Sequence, residues 1–104
     1  MSKTKTIREL INILAVALRH KIGGIVNPNE IYAQKYSKDA DVLMKEAIRI
    51  SLKENWNNYD KTKIKDELKR KLKVELGNKE FINERKFDIM DEEIDKILKL
   101  FNLN

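Results

Sequence analysis

Thr6-Ile7-Arg8-Glu9-Leu10-Ile11-Asn12-Ile13-Leu14-Ala15-Val16-Ala17-Leu18-Arg19-His20-Lys21-Ile22 is the stretch that decides the fold class. Its first four residues have the form of a capping box, a threonine hydroxyl able to accept from the Glu9 amide while the Glu9 carboxylate reaches back. Gly23-Gly24 follows as a stop, glycine being free to take left-handed backbone angles. Arg19, His20 and Lys21 then fill a last turn, where positive charge suits the negative end of the helix dipole. The spacing predicts a helix over 6–22. At 100° per residue Leu10, Ile11, Leu14, Ala17 and Leu18 share one face, but Ile13 and Val16 point to the other side. A helix apolar on nearly every side wants cover all round. It is either the central helix of a bundle or a helix whose second face closes against another copy of the chain.

The same punctuation recurs downstream. Asn27-Pro28-Asn29-Glu30 offers an asparagine cap, a proline at the first helical position and a glutamate three residues after the cap, so a short helix is expected over 28–36. Ser37 or Asp39 can cap a third helix, 39–55. Trp56-Asn57-Asn58-Tyr59 reads as a connection, with Trp56 plugging a helix junction. Asp60 is placed as the cap of a fourth helix, 60–76, closed by Gly77-Asn78. A final helix is expected over 88–102, opened by Asp88 or Asp91. No segment alternates with period two, and no Asn-Gly or Asp-Gly pair separates two apolar runs. The sequence therefore predicts one all-α domain over 1–104, a compact bundle of about five helices that associates as a dimer. Candidate core stripes are Ile64, Leu68, Leu72 and Leu76 in the fourth helix, and Phe87, Met90, Ile94, Ile97, Leu98 and Phe101 in the last. The third helix is broad-faced, with Ala40, Leu43, Met44, Ala47, Ile48 and Ile50 over about half its circumference. Ile13, Val16, Met44 and Ile48 are thus the candidate oligomer interface.

Composition excludes several classes of function. The chain has no cysteine, so disulfide scaffolds, thiol redox chemistry and cysteine-ligated metals are out. Its one histidine, His20, cannot form a histidine-pair metal site or an HExxH motif. No serine stands in a glycine-flanked elbow, and Gly23-Gly24 belongs to no phosphate-binding glycine pattern. Asp88, Asp91 and Asp95 share a helical face but lack calcium-loop spacing, and carboxylates in a first turn are explained by the dipole. No catalytic residue, metal ligand or cofactor is expected, and no small-molecule substrate is indicated. The longest apolar run, Ile13 to Leu18, is far short of the roughly twenty residues a membrane span needs. With no secretory pattern behind Lys3, Lys5 and Arg8, the expected address is cytoplasmic.

Net charge is +5, unevenly spread. Residues 1–21 carry +4, 22–60 carry −1, 61–73 carry +5 and 74–104 carry −3. Lys63, Lys69, Arg70 and Lys73 lie opposite the apolar stripe of their helix, with Lys61 at its start. One exposed basic face is the footprint of a phosphate-backbone contact. These five are the candidate nucleic-acid contacts, with Trp56 and Tyr59 just ahead as stacking groups. Three features oppose that reading: Asp66 interrupts the face, the acidic run Asp88 to Asp95 can pair with it, and arginine is scarce, 5 against 17 lysines. A helix-turn-helix around Ser37–Asp39 falls short too. Ala33 and Leu43 suit its packed positions, but Ser37 replaces the usual turn glycine, and Lys38 and Glu46 stand where apolar residues belong. The expected function is a non-enzymatic helical module that assembles with itself or another protein, with nucleic-acid binding at 61–73 as the alternative.

Overall fold

In the computed structural model, residues 3–26, 33–77 and 85–103 are described, and they form four helices: α1 Lys3–Val26, α2 Ala33–Ser51, α3 Asn58–Gly77 and α4 Arg85–Leu100. No strand occurs among the described residues. The all-α expectation holds, and among the described residues the helix count is corrected from five to four. The predicted break at Ser37–Asp39 does not exist: one helix runs from Ala33 to Ser51, across the end of the expected 28–36 element and most of 39–55. Serine and aspartate can cap, but nothing between Ala33 and Ser51 forces a stop, since no proline or glycine lies there. The helix-turn-helix therefore has no turn. The Asn27 to Glu30 start signal lies outside the described residues.

The bounds of α1 also differ from the sequence reading. The helix begins by Lys3, so Thr6 is an interior, buried residue rather than a cap. It continues through Gly23-Gly24 to Val26, and no glycine takes a positive φ. Gly23 is buried, and a glycine inside a helix costs only about 1 kcal/mol against alanine. Arg19 and Lys21 are consequently not in the last turn; each is spent on an ion pair with another helix.

Two helix ends show their chemistry in full. Asp60 is not the cap of α3 but its third residue. The Asp60 amide donates to Asn57 Oδ1 at 2.8 Å, and the Asn57 amide donates to Asp60 Oδ2 at 3.1 Å, a reciprocal box with Asn57 at the cap. At the end of α4, Leu103 N–H donates to the Leu98 carbonyl at 2.7 Å and Asn102 N–H to the Lys99 carbonyl at 3.2 Å, with Asn102 at φ 57°. This is a Schellman closure, and it buries Leu103 beside Leu98 as such closures do.

α1 is the central helix. It packs against α2, α3 and α4; α3 also meets α4, whereas α2 meets neither α3 nor α4 among the described residues. The molecule is thus a three-helix bundle of α1, α3 and α4, with α2 laid on the far side of α1. α1 supplies Ile7, Leu10, Ile11, Leu14, Leu18 and Ile22 to the common core, and α4 supplies Met90, Ile94, Ile97, Leu98 and Phe101. In α3 every fourth residue from Asp60 to Leu76 is buried. A ridge spaced four apart is inclined about 26° to its helix axis, so α3 turns one continuous edge into both its neighbours.

Three contacts set the direction and register of α1 and α3: Lys3 with Asp60, Asn12 with Lys71 and Arg19 with Glu75. Their nearly constant separation, 59 residues at the middle and 56 at the far end, makes the two helices parallel. α2 returns between them, so its end meets the start of α1. There Trp56 packs on the core, its Nε1 donates to the Ser51 carbonyl at 3.0 Å, and Lys3 Nζ lies 5.8 Å from its ring centre. Trp56 plugs the junction expected of it.

Candidate functional site

Among the described residues, the surface left open by this packing is the outer stripe of α1. Because α2 and α3 both flank α1 without meeting, the stripe becomes the floor of a trough. Arg8 and Asn12 lie on the floor as exposed residues, Ile13 and Val16 as half-buried ones. On the α3 side, Arg8 and Asn12 share a groove with Glu67, Arg70, Lys71, Val74 and Glu75. On the α2 side, Glu9, Asn12 and Ile13 share one with Glu46, Arg49, Ile50 and Lys53. Asn12 belongs to both, so the two depressions join across α1.

The electrostatics of the trough are mixed. Lys71 Nζ donates to Asn12 Oδ1 at 2.6 Å, and Arg19 Nη1 donates to Glu75 Oε2 at 3.0 Å. Arg49 is held by Glu46 one turn back on α2; their hydrogen bond keeps the Glu46 carboxyl below its ordinary value and raises Arg49. Arg8 and Arg70 are exposed and have no ion-pair partner among the described residues.

The predicted oligomer residues are not brought together. Ile13 and Val16 lie half-buried in the trough, and Ile13 packs partly on the core. Met44 also packs against the core, while Ile48 is 41% exposed on the other flank of α2. Four residues further along the same ridge, Leu52 is 80% exposed, and Val42 on the outer side is 67% exposed.

The basic face of α3 is divided as well. Lys69 turns to α4 and meets Asp91 at 3.2 Å, the pairing with the acidic run that the sequence allowed. Arg70 turns the other way, into the trough. Lys73 is exposed between them, and Lys61 and Lys63 are half-buried, Lys63 in a depression beside the exposed ring of Tyr59.

Charge inside the bundle serves structure. Glu93 of α4 is 4% exposed, with Lys21 Nζ 2.9 Å away, off the hydrogen-bonding direction, and Lys96 Nζ at 3.2 Å. Burial pushes its carboxyl up, but the two ammonium groups push it down harder, so it settles below the usual value. Asp60 is likewise held down, first by the hydrogen bond from Lys3 and also by the Asn57 amide. Among the described residues no group of three or more acidic or histidine side chains is placed to hold a metal ion, and no helix is long and apolar enough to cross a membrane. The side chain of Asp88 lies outside the described residues.

Fold and site together define a small all-α protein with a three-helix core, an added helix and a charged trough. No family profile, no curated protein and no solved structure matches the chain.

Proposed function

We propose that the chain is a non-catalytic interaction module that works by assembling with another protein chain, a second copy included. The observation that carries this reading is the one-sided packing of α2. Its ridge Met44, Ile48, Leu52 begins against the core and ends bare. Fully burying one such side chain is worth about 1.5–3 kcal/mol, so a partner helix along this ridge gains from both Ile48 and Leu52. The candidate interface of Ile13, Val16, Met44 and Ile48 accordingly divides between two flanks of α2.

Light scattering after size exclusion tests self-association. A mass near twice 12.3 kDa is expected at high concentration, and Ile48→Glu with Leu52→Glu should return the monomer without loss of helix. A monomer at every concentration retires the homodimer. The alternative, nucleic-acid binding through Lys61, Lys63, Lys69, Arg70 and Lys73, draws support from the net charge of +5 and from the exposure of Arg70 and Lys73. The Lys69–Asp91 pair counts against it. Its test is oligonucleotide titration at two salt concentrations, where binding should fall steeply with salt and vanish when Lys63, Lys69, Arg70 and Lys73 are changed to Glu.

A further inference from the structure

We infer that the trough between α2 and α3 is a seat for an acidic amphipathic helix of a partner protein. The proposal deepens the interaction reading above by naming a surface and the chemistry of its occupant.

Helices pack with axes about 8–10 Å apart. A helix laid over the outer stripe of α1 would lie on α1 between the two depressions, with α2 on one side and α3 on the other. From Arg8 to Arg19 the floor runs about 16 Å, three turns of an occupant. That floor has an apolar component: Ile13 and Val16 are half-buried, and Val74 on the α3 wall is 61% exposed. An occupant with apolar residues at i, i+4 and i+7 would cover all three.

Charge selects the sign of the flanks. Arginine makes up only 5 of the 22 basic residues, yet Arg8, Arg19, Arg49 and Arg70, four of the five, stand on this floor or its walls. Arg19 and Arg49 are occupied by Glu75 and Glu46. Arg8 and Arg70 line one groove with no ion-pair partner among the described residues. A guanidinium presents a planar fork that matches a carboxylate with two parallel hydrogen bonds. The occupant is thus a helix carrying Glu or Asp where it passes Arg8 and Arg70. A nucleic-acid strand fits less well, because it bears charge at every step and would meet Glu9, Glu46, Glu67 and Glu75. A helix can set neutral or basic residues at those places.

The test uses the full chain and a labelled synthetic peptide of about eighteen residues, five helical turns, with leucine at every third or fourth position and glutamate on the flanks. Controls are the same peptide with lysine for glutamate, and labelled single-stranded DNA. The glutamate peptide should bind at least about tenfold more tightly than the lysine peptide. Arg8→Glu with Arg70→Glu should invert that order, and Val74→Ser, at an exposed site that cannot upset folding, should weaken the glutamate peptide. Equal affinity for the two peptides, no binding of either, or an unchanged order in the double variant overturns the proposal. DNA binding more tightly than the glutamate peptide at the same salt also overturns it, in favour of a phosphate ligand. A protein that is monomeric by light scattering yet seats the glutamate peptide loses the homodimer and keeps the trough, so the two readings fail separately.

Discussion

The two seams that α1 makes, with α3 on one side and α2 on the other, are built on different principles. The seam with α3 lies in a core of large apolar side chains, Leu10, Leu14 and Leu18 of α1 and Ile64, Leu68 and Leu72 of α3 among them, and carries a polar rung at its start, middle and end. The seam with α2 relies on small residues, Ala40 and Ala47 on α2 and Ala17 on α1, all buried, with Ile50 as the one large buried side chain of α2 among the described residues. Rungs fix register because each charge has one partner at one height. Alanines let two backbones come close, and the closeness itself resists change, since interiors are packed without spare volume. A protein can thus hold one helix by specific pairs and another chiefly by close fit.

Removing bulk from the shared helix should have the largest effect. Leu14→Ala, at a fully buried site in mid-α1, is expected to cost about 2–5 kcal/mol; a loss under about 1 kcal/mol in urea melts would show that the core does not centre there. Adding bulk to the second seam comes next. Ala47→Leu should cost about 1–3 kcal/mol through overpacking. Its signature is local: amide exchange should speed up in α2 while the amides of α3 and α4 keep their protection. Uniform acceleration would mean that α2 unfolds only with the whole, erasing the contrast between the seams.

Asn57→Ala removes the cap of α3 and half of its reciprocal box, and should cost about 1 kcal/mol. The smallest effect is set by pH. Asp60 and Glu93 both titrate below their ordinary values, so their contribution is fully present above the unfolded carboxylate range, about pH 4, and is lost as the pH falls through the lower folded values. Both groups belong to the three-helix part. Acid should therefore loosen α1 from α3 and α4, and Asp60→Asn, which keeps the oxygen facing the Asn57 amide, should flatten part of that acid limb. An acid limb of unchanged depth in Asp60→Asn would remove the Lys3 pair from the account.

Much of this architecture was legible in the residues. The four-spaced stripe from Ile64 to Leu76 and the apolar face from Met90 to Phe101 are the buried ridges observed, because periodicity reports burial directly. End signals misled where they were only permissive. Thr6 with Glu9, Gly23-Gly24 and Ser37 to Asp39 all have residues that can end a helix, but each lies inside one, where tertiary packing outweighs a cap worth about 1 kcal/mol. The true box at Asn57 and Asp60 is hidden in the sequence because Asp60 is itself a good cap. The trough could not be foreseen at all. Arg8, Arg19, Arg49 and Arg70 are spread over 62 positions, and only the parallel run of α1 with α3 and the return of α2 bring them to one surface.

Two neighbours that point the same way cannot be linked by a tight turn; the peptide must first travel back along their whole length. α2 makes that journey as a helix of 19 residues, roughly 28 Å long. In place of α2, an unstructured tether of about ten residues at 3.3 Å each would cover the distance, while one of five, reaching about 17 Å, would leave the third helix stranded at the wrong pole. A minimum reach is thus one demand this arrangement makes on the link between α1 and α3, beside the packing of Ala47 and Ile50 against the core.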